Sequence, residues 1–291
     1  MSFSLCVVLH NSERELGALL DSIDAHLGVR PQIICVDSGS TDDGAALARS
    51  RGADVIVMGG NPGFGAANNA AVSTATEDVA VLLNPDCRLV DASLERVVAA
   101  ADKRRALMAP RLLNENGTIQ DSAHPLPGGW DGYLSALTVP LLLPRRLRER
   151  LQPFRSDHEI EVGWAIGACI AGQTALLREL GPFNPNDFLF AEDLELCLRA
   201  RALGIPTILD PSVELIHTGA HTSDALTDQA RLELQVRRRR EVIGRQLGAH
   251  ALARDDRSQA LTFALRAAAR RDRDRNLIQL KALRADQNRS S

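Results

Sequence analysis

Over its first 110 residues the chain alternates short, fully apolar runs with amphipathic stretches. SLCVVL (4–9), QIICVD (32–37), ADVIVM (53–58) and VAVLLN (79–84) have strand length and are rich in Val, Ile and Leu. Between the first two, Leu16, Leu19, Leu20 and Ile23 recur at helical spacing behind Ser12-Glu-Arg-Glu15, which reads as a capping box. A second helix is predicted over about 42–50, stopping at Gly52, and GGNPGFGAANN (59–69) is a glycine-rich loop entering a third. This rhythm predicts an α/β fold, with a parallel sheet covered by helices on both faces.

From 111 to 162 the pattern decays into Pro, Gly and Arg, apart from a hairpin turn at Asn114-Glu-Asn-Gly117; a variable acceptor-side insertion is expected here. A buried run resumes with WAIGACIAG (164–172), followed by a short helix over TALLREL (174–180). Asp187-Phe-Leu-Phe-Ala-Glu192-Asp193 leads into a helix that ends at Gly204. PTILD (206–210) and VELIH (213–217) read as two further strands, and everything after about 225 reads as helix. The expected organisation is one domain over 1–225 with a basic helical extension over 226–291.

In open α/β sheets ligands bind beyond the carboxyl ends of the strands. Polar clusters fall there: His10-Asn11 after the first strand, Asp37-Ser-Gly-Ser-Thr-Asp42 after the second, the glycine loop after the third, and Asn84-Pro-Asp86 after the fourth. Any one of these has a structural explanation as a helix cap or a turn. Together they mark one edge of one sheet as the candidate site.

Composition excludes more than it selects. The apolar fraction of 45% and charged fraction of 24% are those of a globular protein, and 3% aromatics argues against a base-stacking platform for single-stranded nucleic acid. The five cysteines (Cys6, Cys35, Cys87, Cys169 and Cys197) include no CxxC pair and sit mostly in apolar runs, so they read as reduced, buried residues of a cytoplasmic protein. MSFSLCVVLH reads as a strand rather than a signal peptide, and LSALTVPLLL (134–143) is too short to span a bilayer. Residues 231–291 carry 16 Lys and Arg against 7 Asp and Glu, a net +9, which leaves −12 on the rest of the chain. The basic tail suits either an anionic partner or an ordinary solvated helical face.

The residues at the sheet edge suit transfer of a group from a nucleoside diphosphate. Asp86, just past a buried strand, offers an oxygen ligand to a hard divalent cation, Mn2+ or Mg2+, and His217 offers a nitrogen ligand that Mn2+ accepts more readily. Glu192-Asp193 opens a helix, where the dipole favours an ionised carboxylate suited to a general base; simple acidic residues of a first turn look the same. Asp37 is an acceptor for a nucleobase or ribose. The loop around Gly63-Phe-Gly65 lacks the third glycine of a dinucleotide fingerprint but still lets amides approach a diphosphate. No Walker A sequence is present.

In order and spacing, VVLHNS (7–12), VDSGSTDD (36–43), NPGFGAANNAAV (61–72), LLNPDC (82–87), GPFNPNDFLFAEDLELCLRARALG (181–204) and IHTGAHTS (216–223) resemble the family 2 inverting glycosyltransferases of the GT-A fold, particularly a bacterial rhamnosyltransferase-like branch. The resemblance runs from about residue 4 to 223. It implies a Rossmann-like mixed sheet flanked by helices, with Asp193 as base and Glu192 positioning the acceptor. Asp86 and His217 would hold the metal, with Asn84 at the first position of the DxD motif. Nucleotide-sugar contacts are implied for His10, Asn11, Asp37, Ser38, Gly39 and Asp42, for Asn61, Gly63, Phe64, Gly65 and Asn68, and for Asn84, Asp86 and Gly167. It further implies a nucleotide-sugar donor, dTDP-rhamnose before a UDP-sugar, and a glycan or polyprenyl-linked acceptor at the cytoplasmic membrane face. The basic extension then has an anionic membrane surface as candidate partner, and a homo-oligomer is a further candidate; no nucleic-acid partner is expected. A nucleotidyltransferase would carry a glycine-rich basic signature near the N-terminus that is missing here, and a degenerate scaffold subunit would have no use for Asp86, Asp193 and His217.

Overall fold

A computed structural model describes residues 2–139, 142–181, 183–184, 190–219 and 227–290. In chain order its elements are β1 (Ser4–Leu9), α1 (Glu13–His26), β2 (Gln32–Asp37), α2 (Gly44–Ser50), β3 (Asp54–Val57), α3 (Phe64–Thr74), β4 (Val79–Leu83), β5 (Cys87–Leu89), α4 (Leu94–Lys103), β6 (Leu107–Leu113), β7 (Ala123–His124), α5 (Asp131–Leu137), α6 (Arg145–Leu151), β8 (Ile160–Val162), β9 (Trp164–Ala165), β10 (Cys169–Gln173), α7 (Thr174–Leu180), α8 (Glu192–Ala202), β11 (Thr207–His217), α9 (Asp228–Ala268) and α10 (Arg273–Ser290). They fall into two compact units, one of residues 1–123 and 154–221, the other of 124–153 and 222–291. Most of the region read from sequence as an acceptor-side insertion thus clusters with the C-terminal helices.

The first unit is built on a nine-stranded mixed sheet ordered β3-β2-β1-β4-β10-β6-β11-β5, with β8 also paired to β11. β3, β2, β1 and β4 run parallel, whereas β10 is antiparallel to both β4 and β6. The side-chain period of two explains why the central strands are apolar throughout. Leu5, Val7 and Leu9 pack with Leu16, Leu19 and Leu20 of α1 and with Val97 and Val98 of α4. Cys6 and Val8 face the other way, onto Ala67 and Ala71 of α3, Leu177 of α7 and Leu196 of α8. All five cysteines are buried and free, and burial pushes the Cys6, Cys35 and Cys169 thiols up to about 12.

Two local readings are corrected. Ser12 precedes α1, but its Oγ donates to the His10 carbonyl and accepts from the His10 amide, so no capping box forms. Asp42 takes over that task, accepting from the Glu13 amide at 2.8 Å and the Gly44 amide at 3.2 Å. PTILD and VELIH are a single strand, β11, whose register against β6 shifts between Asp210 and Glu214. Pro211 falls within that irregularity, where the ladder does not need its missing N–H.

In the second unit α9 is broken at Gly248, with φ of 82°. Arg239 and Arg240 precede the break, and Asp255 and Asp256 follow it. Arg239 forks onto Asp255, while Arg240, 6% exposed, reaches Asp256 at 3.0 Å and also Asp286 of α10. The remaining arginines of the 237–240 run, Arg237 and Arg238, lie within 4 Å of Glu241. The run that gives the tail its charge is therefore paired at every member. Removing one partner of a buried pair leaves an uncompensated charge. Asp256→Ala is expected to destabilise the helical unit by about 3–5 kcal/mol in urea unfolding followed by far-UV ellipticity. Arg231→Ala, which breaks an exposed pair with Asp228, should cost only about 0–1 kcal/mol, and equal losses for the two variants would contradict the assignment.

Candidate active site

The carboxyl ends of β1 and β2 are stitched together by short polar contacts. The Ser38 amide donates to the Leu9 carbonyl at 2.9 Å, and His10 Nδ1 lies 2.9 Å from the Ser38 carbonyl. Asn11, held at φ of 51°, accepts from the Thr41 amide at 2.8 Å through Oδ1. Asp37 is buried, and its Oδ1 accepts from the Ser40 amide at 3.0 Å. Ser38 Oγ donates to Asn61 Oδ1 at 3.0 Å, and the Gly63 amide donates to the same oxygen. These bonds join the first, second and third polar clusters. Gly39 backs directly onto the Gly60-Asn61 backbone, with no room for a Cβ.

The glycine loop enters α3 through Gly63, whose φ of 97° suits only glycine. Phe64 then packs edge-on against Phe183, with ring centroids 5.7 Å apart. A Cβ on Gly65 would sit 2.9 Å from Phe183 Cβ, which accounts for the glycine. Asn68 is buried with its amide donating to the Phe64 carbonyl, so it serves the helix rather than facing outward. Asn69, which sequence reasoning passed over, clamps the Phe183 backbone from both sides: Nδ2 donates to its carbonyl at 2.8 Å, and Oδ1 accepts from its amide at 2.9 Å.

The fourth cluster meets the end of β11. Pairing of His217 with Cys87 in the β11–β5 ladder brings His217 Nε2 to 3.4 Å from Asp86 Oδ1, and both side chains are largely buried. On the far side of the ring, Nδ1 lies 2.8 Å from Gln120 Oε1. Gln120 Nε2 donates to Asn114 Oδ1 and to the His217 carbonyl, which leaves Oε1 as the atom facing the ring. With its proton on Nδ1, the imidazole would present the Nε2 lone pair beside a carboxylate oxygen. Two acceptors side by side fit a cation, and an oxygen–nitrogen donor set is suited to Mn2+. Asn84 donates its amide to the Ala168 carbonyl at 2.9 Å, while its buried Oδ1 accepts no hydrogen bond among the described residues.

Asp193 stands at the start of α8. Its Oδ2 accepts from the Gly167 amide at 3.0 Å and its Oδ1 from the Leu194 amide at 2.7 Å. Gly167 is pressed between Asp193 and Phe64, and a Cβ there would lie 3.3 Å from Asp193 Cβ. Since Gly167 adjoins Ala168, which bonds Asn84, one run of contacts links Asp193 to the Asn84–Asp86 turn. Glu192, half-buried, begins the same helix after Phe190 and Ala191, both at positive φ. Of the two closing motifs, residues 182, 185–189 and 220–223 lie outside the described residues.

A family model described as glycosyl transferase family 2 matches residues 4–180. The chain is 27% identical, over 212 residues, to the N-acetylglucosaminyl-diphospho-decaprenol L-rhamnosyltransferase of Mycobacterium tuberculosis; the match covers 66% of this chain and 67% of that protein. Among solved structures, the mannosyltransferase PcManGT of Pyrobaculum calidifontis, in complex with GDP-Man and Mn2+, aligns with a TM-score of 0.63 at 14% identity, over 98% of this chain and 86% of its own. GalNAc-T7 with UDP, GalNAc and Mn2+ aligns with a TM-score of 0.60 at 17% identity; the match covers 84% of this chain but about half, 48%, of that one. At such identities the structures establish a shared fold, the GT-A fold, and nothing further. With the family model spanning more than half of its length, the chain belongs to glycosyl transferase family 2 and is a glycosyltransferase of the rhamnosyltransferase-like branch.

Proposed function

We propose that this enzyme transfers a sugar with inversion from a nucleoside diphosphate donor, dTDP-rhamnose before a UDP-sugar, to a hydroxyl of a glycan or polyprenyl-linked acceptor. The observation that carries the reading is the Asp86–His217 pair, with Gln120 holding the far side of the imidazole. The mycobacterial rhamnosyltransferase, named for a diphospho-decaprenol acceptor, supports the acceptor class, and the Mn2+ bound to PcManGT supports the metal.

Asp86 and His217 are the residues that would hold a divalent cation, which when bound neutralises charge developing on a departing diphosphate. Asp193 acts as the base. Its carboxylate is oriented by the amides of Gly167 and Leu194, and it takes the proton of the acceptor hydroxyl. The freed oxygen forms a bond to the anomeric carbon as the bond from that carbon to the diphosphate oxygen breaks; the electron pair leaves with the nucleoside diphosphate. The new glycoside has inverted configuration, and no covalent sugar–enzyme species is formed. Asp37 and the Ser38–Asn61 contact line the nucleoside side, and Glu192 lies where an acceptor would be positioned.

Calorimetric titration with dTDP, UDP and GDP, each with and without Mn2+, should show Mn2+-dependent binding of dTDP or UDP in preference to GDP. Failure of all three to bind in either condition would overturn the transferase reading in favour of a scaffold subunit. Asp193→Asn keeps the size and one of the two amide contacts but removes the proton acceptor. Turnover should fall by roughly 10²–10⁴-fold with nucleotide affinity unchanged, and undiminished turnover would remove Asp193 from the role of base. Gln120→Leu should weaken Mn2+ binding in the presence of dTDP by about 10–100-fold, while Asn116→Ala, on the same hairpin but remote from the ring, should not.

A further inference from the structure

Five of the large hydrophobic side chains exposed among the described residues fall within thirteen positions of the second unit: Trp130, Leu134, Leu137, Val139 and Leu142. Leu142 and Trp130 are 83% and 72% exposed. Their placement follows from how α5 is seated. Gly132 faces α9, where a Cβ would come within 2.6 Å of Ser258 Oγ, so that side of the helix is committed to packing. At about 100° per residue, Trp130, Leu134 and Leu137 lie together on the opposite side. None of the residues of α5 is buried, and among the described residues the ring contact of Trp130 is with Tyr133, at a centroid distance of 5.7 Å.

Beside this face lies α6. Arg150 pairs with Asp131 at 2.7 Å, which brings the end of α6 to the start of α5. Arg145 and Arg146, exposed at the other end of α6, follow Leu142 by three and four residues along the chain. Arg145 shares Glu149, whereas Arg146 and Arg148 make no ion pair among the described residues. Apolar side chains with an aromatic pair, edged by unneutralised arginines, have the composition of a segment that lies in a bilayer interface. No helix among the described residues is long and apolar enough to cross a membrane, so the contact this surface suits is superficial.

We propose that Trp130, Leu137, Val139 and Leu142, with Arg146, form a docking surface for an anionic lipid bilayer. A second copy of the chain fits less well, because a two-fold contact through this face would oppose the arginines of both copies. The C-terminal arginine run is a poorer docking element, each of its members already lying within 4 Å of a carboxylate. The inference does not rest on the transferase chemistry and is read out without it.

Full-length protein is sedimented with phosphatidylcholine vesicles that contain or lack phosphatidylglycerol. The wild type should pellet with the anionic vesicles, and added salt should weaken binding. Trp130→Ser/Leu142→Ser and Arg146→Glu should each lower the partition coefficient by roughly tenfold or more. Arg237→Gln/Arg238→Gln should bind as the wild type does. In a Trp164→Phe background, which leaves Trp130 as the sole tryptophan, emission should shift to the blue on adding anionic vesicles. All these side chains but Trp164 and Arg238 lie at the surface, and unchanged ellipticity verifies folding. A wild type that stays in the supernatant, or surface variants that pellet undiminished, would overturn the proposal. So would loss of binding in the Arg237/Arg238 variant alone. Self-association abolished by Trp130→Ser/Leu142→Ser, without vesicle binding, would assign the face to a second copy instead.

Discussion

β10 runs antiparallel to β4, with Cys169 opposite Leu83 and Gln173 opposite Val79. That register carries Gly167 and Ala168 past the end of β4, where Asn84 donates its amide to Ala168 and the Gly167 amide is left pointing at Asp193. One strand reversal therefore places the first turn of α8 beside the acidic turn after β4. On the other side, β11 returns in register with β5 and delivers His217 next to Asp86. A one-residue slip of β10 would turn its buried side chains to the wrong faces, so the same core that stabilises the sheet also holds the site's geometry.

Such close convergence of backbone determines which residues fit. Gly167 and Gly65 stand where a side chain would collide with Asp193 and Phe183, and Asn69 ties the Phe183 backbone to α3. The approach to α8 is costly, since Phe190 and Ala191 both adopt positive φ at about 1–3 kcal/mol each. The buried face of α8 offsets this through Leu194, Leu196, Cys197 and Leu198 and through the buried Glu195, which pairs with the half-buried Arg199. Strain next to Glu192 and Asp193 is thus sustained by a core that lies behind them.

Much of the fold and the position of the site were legible because the parallel half of the sheet is buried on both faces and its polar residues are confined to strand ends. VAVLL and SLCVVL admit few other readings. Ser12 misled because a capping box is a local pattern, while the atom that bonds the Glu13 amide belongs to Asp42, 29 residues away. PTILD and VELIH appeared as two strands because Pro211 usually ends one, and only pairing with β6 carries the chain through it. Gln120 and Asn69 were passed over for the same reason: their partners lie 97 and 114 residues distant, and neither residue type signals anything alone.

Charge in the C-terminal region shows the limit of counting. A net +9 over 231–291 describes ions, whereas an anionic surface responds to ions that lack a nearer partner. Arg239 and Arg240 sit opposite Asp255 and Asp256 because the break at Gly248 lies midway between the paired positions, and the fold itself neutralises them. α6 has fewer arginines but only Glu149 among them, and its apolar neighbours Trp130 and Leu137 stay exposed among the described residues. Desolvation separates the two cases. Arg240 gives up water for two carboxylates on folding, while Arg146 keeps its water until something anionic replaces it.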